Sequence, residues 1–231
     1  MPLFRLSEDL IFPPPHLALD DGLLAIGGDL SVDRLLLAYR MGIFPWYTEN
    51  DPILWWSPDP RMVMTPTQLH VSRRLEREIK AGTFTVTMDT AFADVIRACA
   101  EVRGPQRNGT WIVPEMERAY IALHVAGYAH SVECWKDGAL AGGLYGVSQG
   151  ACFFGESMFS KESNASKVAF TSLVRQLGAW AFRLVDCQMH TPHLERLGAR
   201  EVSRARFLRM LQDGLAAETR RGAWSFDGAT G

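Results

Sequence analysis

The fold is decided by one stretch of sequence, Ala139–Phe170, which reads ALAGGLYGVSQGACFFGESMFSKESNASKVAF. Its apolar first half predicts two strands, 139–148 and 151–155, joined by a short turn. A long helix is predicted over 163–182, because small polar residues that start helices precede an apolar run there. Between the strands and this helix the sequence predicts an acidic corner, Gly155–Ser157.

The acidic corner contains Glu156, flanked by small residues. A carboxylate between a hydrophobic strand pair and a helix is costly to bury unless it is paired or used. Met158 and Phe159 follow it and supply apolar side chains. Because a cation and an apolar group could be held close together here, the segment favours a transferase site over a mere packing corner.

After residue 61 the chain alternates between strand-like and helix-like segments. Two helices, an antiparallel meander, a helix and a further strand follow one another, which resembles the order of the GNAT acyltransferase fold. The predicted fold class is therefore α+β, with a GNAT-like domain whose mixed, mostly antiparallel sheet is flanked by helices. The predicted strands are 84–88, 129–136, 139–148, 151–155 and 184–188, and the predicted helices are 91–101, 114–126, 163–182, 193–197 and 203–213.

The first part of the chain is rich in proline and tryptophan and poor in strand-like segments. Ser31 predicts the start of a short amphipathic helix with Tyr39 on its apolar side, and Gly42 predicts its end. We therefore predict a small N-terminal domain over 1–61 and a larger domain over 62–231.

Three tryptophans lie close together near the end of the small domain. Trp55 and Trp56 are interpreted as core residues. Trp46 follows a proline at a turn, which places it better to present a ring face to a base.

The composition is that of an ordinary globular protein, with 47% hydrophobic and 22% charged residues among 231. No apolar stretch approaches the roughly 20 residues that cross a bilayer, and the N-terminus lacks the apolar core of a signal peptide. We therefore expect a cytoplasmic protein without membrane attachment, and a monomer. The four cysteines have no metal-ligand spacing, so neither a metal nor another cofactor is expected.

Charge is distributed unevenly along the chain. Residues 1–70 carry 4 Lys/Arg and 9 Asp/Glu, whereas residues 71–231 carry 20 and 17. Basic residues cluster at 97–107, at 204–209 and in one short predicted helix. A single cluster of this kind is usually a solvated helix face, but three together favour contact with a phosphate backbone. The phosphate-contact candidates are Arg73, Arg74, Arg77 and Lys80.

The strand LVDCQ carries two polar residues on one face, Asp186 and Gln188. A satisfied buried hydrogen-bond network is the plain explanation for such a pair. Glu156, however, can lie on the neighbouring strand. The three side chains together would form an electronegative pocket suited to a positively charged substrate group.

Common nucleotide and hydrolase motifs are absent from the sequence. The helix start after the strand pair has SKESNASKVAF in place of the glycine-rich loop with which GNAT enzymes hold coenzyme A pyrophosphate. This argues against a GNAT enzyme with an acyl-CoA donor. A noncatalytic RNA-binding module is the other alternative, but such a module has no reason to keep the polar trio together.

Several distinctive segments cover most of the chain, and they include GLLAIGGDLS, YRMGIFPWY, DPILWWSPDPR, GGLYGV, FFGESMFS, NASKVAF and HLERLGAR. Together they resemble the bacterial leucyl/phenylalanyl-tRNA–protein transferases. The resemblance implies a small N-terminal domain joined to a GNAT-like domain. It also implies transfer of Leu or Phe, and of Met less, from aminoacyl-tRNA to the N-terminal Arg or Lys of a protein, which marks that protein for the N-degron pathway.

The resemblance also implies roles for individual residues. Trp46 and Trp111 would hold the terminal adenine of the tRNA between them. The incoming N-terminus would be held by the three polar residues Glu156, Asp186 and Gln188. The side chain of the donor amino acid would lie in a pocket of Leu144, Phe153, Met158 and Phe170.

The expected chemistry demands little of the protein, because an aminoacyl ester is already activated. An α-amino group has a pKa of about 8, so about a tenth of it is neutral at pH 7. Placing this amine against the ester carbonyl is mainly an orientation effect. Gln188 would accept a hydrogen bond from the amine. Asp186 would orient Gln188, and we expect the variant Asp186→Asn to keep the fold intact. The proton could move through Asp186 and Gln188 or through the vicinal ribose hydroxyl of the tRNA.

Overall fold

The computed structural model describes residues 3–103 and 112–227, which form two sheets with helices around them. The smaller sheet belongs to the N-terminal part of the chain and has the strand order β1-β2-β4-β3. Its strands are β1 (Phe4–Leu6), β2 (Leu23–Gly27), β3 (Phe44–Pro45) and β4 (Leu54–Trp56).

The prediction that this region is poor in strands was wrong. Its strands are two to five residues long, and such short elements show too few alternations for a periodic pattern to stand out. The helix α1 (Val32–Arg40) is confirmed, because the Ser31 side chain accepts a hydrogen bond from the Arg34 backbone N–H. Gly42 follows its end with φ +73°.

The larger sheet has the strand order β11-β5-β10-β9-β8-β7-β6. Only β9 and β10 pair in parallel, and the other neighbouring strands pair antiparallel. The predicted α+β class with a mixed, mostly antiparallel sheet is confirmed. The strands are β5 (Arg61–Met64), β6 (Thr85–Met88), β7 (Ala129–Lys136), β8 (Ala139–Gln149), β9 (Cys152–Ser160), β10 (Leu184–Gln188) and β11 (Arg200–Val202).

Helices cover both faces of the large sheet and create two apolar layers. Besides α1, the helices are α2 (Arg73–Lys80), α3 (Phe92–Arg103), α4 (Pro114–Val125), α5 (Ala165–Ala179), α6 (Pro192–Arg196) and α7 (Arg204–Leu215), with single 3₁₀ turns at Pro15–Leu17 and Pro66–Gln68. One layer packs α1, α3, α4 and α7 against one face, and the other packs α2 and α5 against the opposite face. The expected order of two helices, an antiparallel meander, a helix and a further strand runs from α3 to β10.

The predicted acidic corner is instead the middle of a strand, because β9 continues through Glu156 to Ser160. Tyr145 of β8 pairs with Ser157 and Gly146 pairs with Gly155, so Glu156 is an extra residue opposite this pair. Such a β-bulge interrupts the alternation of inward and outward side chains. The sequence pattern therefore ended the predicted strand five residues early.

Within the described residues, the chain shows no disulfide, no membrane-spanning helix and no cluster of metal-binding side chains. The four cysteines are reduced thiols, and Cys187 is the least buried of them. In residues 3–103 and 112–227, no helix is long and apolar enough to cross a membrane. Over the same ranges, no three His, Cys, Asp or Glu side chains are grouped to bind a metal ion.

The bulge depends on a glycine where β8 passes β9. A Cβ added to Gly146 would lie 2.5 Å from the Phe153 Cζ, whereas one added to Gly155 would lie 3.6 Å from the Asp186 carbonyl oxygen. We expect Gly146→Ala to lower the free energy of unfolding by about 1–3 kcal/mol, since the buried site cannot take an extra methyl group. Gly155→Ala is the matched control, and urea unfolding that affects both variants equally would contradict this packing argument.

Candidate active site

Two bulges on neighbouring strands bring the predicted polar residues together. β10 pairs with β9 only from Leu184 to Asp186, and beyond that point the two strands no longer pair. A register shift against β5 leaves Cys187 as an extra residue, and Gln188 has a left-handed backbone with φ +61°. As a result, the Gln188 Nε2 donates a hydrogen bond of 2.8 Å to the Glu156 Oε1.

Glu156 is 9% exposed and accepts hydrogen bonds from two tyrosines as well. The Tyr39 Oη lies 2.8 Å from Oε1, and the Tyr120 Oη lies 2.8 Å from Oε2. The two hydroxyl oxygens are themselves 2.5 Å apart. Sequence reasoning missed both tyrosines as site residues, because each lies on an apolar helix face where an aromatic residue is usually part of the core.

The surroundings of Glu156 shift its protonation equilibrium to near-neutral pH. Burial raises the pKa of Glu156 to about 7, and the nearby charge of Asp186 also raises it, while the hydrogen bonds from Tyr39, Tyr120 and Gln188 lower it. The pKa values of both tyrosines lie well above their ordinary value, through burial first and then through the charge of Glu156. The tyrosines therefore remain hydrogen-bond donors, and Glu156 can gain or lose a proton near pH 7.

Asp186 is completely buried in an ion pair with Arg61. The Arg61 Nε and Nη2 lie 2.9 Å from Oδ1 and 2.6 Å from Oδ2, and the guanidinium lies over the rings of Phe44 and Phe207. Asp186 Oδ1 also accepts a hydrogen bond of 2.9 Å from the Gln188 backbone N–H. The expected trio is thus brought together, but the negative charge of Asp186 is matched by a cation that sequence reasoning missed.

Arg61 left only a weak signal in the sequence. It follows Pro60 and begins the apolar run Met62–Met64, and an arginine at that position looks like a surface residue at a domain boundary. A buried arginine needs a carboxylate partner, and that partner lies 125 residues away on another strand. No local pattern could connect the two.

The four expected pocket residues lie in one apolar cluster on the α5 side of the sheet. Leu144 of β8 pairs with Met158 of β9. Phe153 and Phe170 are buried, and Met158 is half-buried. The structure therefore gathers these side chains into one largely buried apolar cluster on the α5 face, whereas the tyrosines that bond Glu156 belong to the cluster on the α1 and α4 face.

Of the two expected adenine-binding tryptophans, Trp46 is 37% exposed at the end of β3, and Trp111 lies outside the described residues. Trp56 packs edge-on against Trp46 at 5.5 Å between ring centroids and donates to the Trp46 carbonyl oxygen. Trp55 is buried and half-buried Trp56 supports Trp46, which agrees with their interpretation as core residues.

The basic residues of α2 are exposed, as a phosphate-binding surface requires. Arg73 and Arg74 occupy the first turn of α2, whose buried residue is Leu75. Lys80 lies 3.8 Å from Glu76 on the same helix, which is a weak surface contact. The candidates Arg73, Arg74, Arg77 and Lys80 thus share one solvent-facing helix.

The N-terminus of α5 is closed by the protein's own groups. The Ser160 hydroxyl accepts a hydrogen bond of 2.9 Å from the Ser166 backbone N–H, and the Glu162 carbonyl accepts one from Ala165. Asn164 precedes the helix with φ +66°. A helix N-terminus binds phosphate through its unpaired N–H groups, so this one is poorly suited to a pyrophosphate.

Fold and site together agree with the acyl-transferring class of protein that the sequence motifs indicate: a large mixed sheet with a small sheet attached, a carboxylate–amide pair and an apolar cluster. Comparison with known proteins gives the family. Residues 28–59 match the model for the leucyl/phenylalanyl-tRNA protein transferase N-terminal domain, and residues 63–212 match the model for the leucyl/phenylalanyl-tRNA protein transferase itself. The chain belongs to the leucyl/phenylalanyl-tRNA–protein transferase family, so the aminoacyltransferase activity expected from its motifs is confirmed.

Individual relatives are similar over their full length. The chain is 59% identical to the leucyl/phenylalanyl-tRNA–protein transferase of Desulfatibacillum aliphaticivorans over 100% of this chain and 99% of that protein. It is 57% identical to that of Syntrophobacter fumaroxidans with the same coverage. Among solved structures, L-PGS from Bacillus licheniformis aligns with a TM-score of 0.41 and 10% identity, covering 73% of this chain and 54% of that one.

Because Asp186 is paired with a buried arginine, we predict that Asp186→Asn destabilises the protein, contrary to the expectation from sequence that it leaves the fold intact. Asp186→Asn leaves the Arg61 guanidinium buried without its counter-charge, and we expect the free energy of unfolding to fall by about 3–5 kcal/mol. Glu117→Gln is the control, because it removes a partner of the exposed Arg97 at 2.9 Å, which is worth about 0–1 kcal/mol. Equal losses for the two variants in urea unfolding would show that the pair is not structural.

The raised pKa of Glu156 predicts that the free energy of unfolding depends on pH. Between the ordinary value of 4.5 and about 7, the folded protein holds a proton that the unfolded chain releases. The free energy of unfolding therefore falls as pH rises through this window. Glu156→Gln removes the titration, so its stability relative to wild type should rise by about 3 kcal/mol from pH 4 to pH 8. Denaturant unfolding at both pH values measures this, and a pH-independent difference contradicts it.

Proposed function

We propose that this chain transfers Leu or Phe, and Met less well, from aminoacyl-tRNA to the N-terminal Arg or Lys of proteins, which marks them for the N-degron pathway. The observation that carries this proposal is the hydrogen bond between Glu156 and Gln188. It would offer a carboxylate and an amide to an incoming amine, in a chain that matches this family along its whole length and whose expected donor-pocket residues share one apolar cluster.

The donor would be held by three surfaces. Trp46, with Trp111, would stack on the terminal adenine of the tRNA, which is worth about 1–3 kcal/mol per base. The exposed arginines and lysine of α2 would contact phosphates without sequence preference. The donor side chain would fill the pocket of Leu144, Phe153, Met158 and Phe170.

Gln188 would orient the attacking amine. Its Nε2 is already used in donating to Glu156, so its Oε1 is left to accept a hydrogen bond from an incoming N–H. Its backbone N–H is fixed by Asp186, which is fixed in turn by Arg61. This chain of contacts would hold the amine against the ester carbonyl, and such orientation is the main requirement for an activated donor.

Glu156 would supply the negative charge for the acceptor. A cation near a buried carboxylate favours its ionised form, so an arriving N-terminal ammonium group and Glu156 would stabilise each other. Because its pKa is about 7, Glu156 is also suited to take the proton that the ammonium must lose before it attacks. We therefore propose that Glu156 binds the positively charged group of the acceptor. Asp186 is not available for this, because its charge is already paired with Arg61.

The second proton would move through the substrate. The neutral amine forms the new C–N bond with the ester carbonyl, and the C–O bond to the terminal ribose then breaks. The amine proton would pass through the vicinal ribose hydroxyl to the leaving oxygen, with no covalent enzyme intermediate. Both oxygens of Asp186 are held by Arg61, which makes Asp186 a poor relay for this proton.

Cellular setting and organisation complete the proposal. Charged tRNA is a cytoplasmic substrate, so we place the protein in the cytoplasm, where it acts as a monomer. The catalytic unit is the GNAT-like domain over 62–231, and the domain over 1–61 contributes Trp46 and Tyr39 to the site. An acyl-CoA donor is disfavoured by the closed N-terminus of α5.

Labelled aminoacyl-tRNA and a peptide that begins with Arg test the proposal directly. We expect transfer from Leu-tRNA, and transfer from Ile-tRNA that is weaker by at least about 1–3 kcal/mol in kcat/KM, because the second heavy atom on the Ile Cβ overfills the neck of the pocket. A peptide that begins with Glu is the acceptor control. No transfer from Leu-tRNA would overturn the function, and equal transfer of Ile would overturn the pocket.

A further inference from the structure

Residues 216–227, which follow α7, contain no helix or strand, yet hydrogen bonds fasten them to the rest of the protein. The Thr219 hydroxyl accepts a hydrogen bond from the Gly150 backbone N–H, and the Gly222 N–H donates to the Gly127 carbonyl oxygen. Further along, Asp227 accepts hydrogen bonds from Gln176 and Trp180. Because it is fixed at both ends, the segment 219–227 has a defined path, and we call it the C-terminal strap.

Trp224 lies at the centre of the strap and is 4% exposed. Its ring stacks on His130 at 3.6 Å between centroids with an interplanar angle of 6°. Its backbone N–H donates a hydrogen bond of 2.7 Å to Asp89, which also bonds His130. Its indole N–H donates to the Arg220 carbonyl oxygen. The backbone N–H, the indole N–H and the stacking on His130 thus hold this side chain in a single orientation.

Trp224 also packs against a residue of the proposed donor pocket. Its ring lies 6.2 Å from that of Phe153, centroid to centroid, and both belong to the apolar cluster that contains Leu144 and Phe170. The Phe153 ring also lies so close to β8 that a Cβ on Gly146 would come within 2.5 Å of its Cζ. Phe153 therefore packs against both the backbone of β8 and the indole of the strap.

We infer that Trp224 is a positioning residue that sets the depth of the donor pocket by keeping the Phe153 ring forward. The inference rests on the proposed function, in which Phe153 contacts the donor side chain. If the indole is replaced by a smaller group, Phe153 gains room to retreat and the pocket deepens. A deeper pocket favours Phe, which fills it, over Leu, which loses contacts.

Trp180 provides a matched control for Trp224, because it is also a tryptophan that contacts the strap. Trp180 packs edge-on against Trp224 at 5.0 Å and bonds Asp227, so it fastens the strap by a comparable aromatic contact. The Phe153 ring packs on Trp224. Trp180 contacts Trp224 and Asp227 instead. Trp180→Leu therefore loosens the strap by the same substitution but leaves an indole behind Phe153.

The experiment compares kcat/KM for labelled Leu-tRNA and Phe-tRNA with an Arg-initiated peptide in wild type, Trp224→Leu, Trp224→Phe and Trp180→Leu. We expect Trp224→Leu to raise the Phe-to-Leu ratio about tenfold, as a change of one methylene in a hydrophobic pocket does. Trp224→Phe should raise it by a smaller factor, and Trp180→Leu should leave it at the wild-type value. Loss of stability alone lowers both rates together and does not move the ratio.

The outcomes separate this inference from the function on which it rests. A wild-type protein that transfers neither residue overturns the proposed function and this inference with it. A wild type that transfers both, with an unchanged ratio in the Trp224 variants or an equal shift in Trp180→Leu, overturns the inference alone. If Trp224→Leu does not fold, as judged by circular dichroism, Trp224→Phe decides the question, and a wild-type ratio in that variant overturns the inference.

Discussion

The ion pair between Arg61 and Asp186 is the contact on which the rest of the site depends. Arg61 begins the first strand of the large sheet in chain order, and its guanidinium lies over the rings of Phe44 and Phe207. Asp186 lies on the neighbouring interior strand β10. A buried pair of this kind contributes little net stability by itself, since desolvation offsets the attraction. What it provides is position, because it joins the small sheet, the last helix and the strand that carries Gln188.

The second constraint is the buried carboxylate of Glu156, which works against folding. Burial makes its ionised form costly, and the two tyrosines and Gln188 offset part of that cost by donating to it. Tyr39 belongs to α1 and Tyr120 to α4, so one of the three donors to this carboxylate is in place only when the N-terminal part of the chain is docked. The small domain is thereby a component of the proposed chemistry as well as a surface for the tRNA end.

The sequence predicted the family, the α+β class and the element order, because motifs such as FFGESMFS and the periodic helices and strands are local properties. It also singled out Glu156, Asp186 and Gln188, since polar residues in apolar strands are conspicuous wherever they occur. It failed at the small sheet, whose strands are too short to show alternation, and at the middle of β9, where a bulge at Glu156 breaks it.

The sequence by itself therefore determined what kinds of residue meet at the site, and only the tertiary structure decided how they are paired. Asp186 is neutralised by Arg61, 125 residues away in the chain, whereas Glu156 accepts hydrogen bonds from neutral donors, two tyrosine hydroxyls and the Gln188 amide. Trp224 reaches Phe153 from a segment without regular structure. Such pairings depend on which strands become neighbours, and strand order is set by the packing of the whole sheet, which no local pattern encodes.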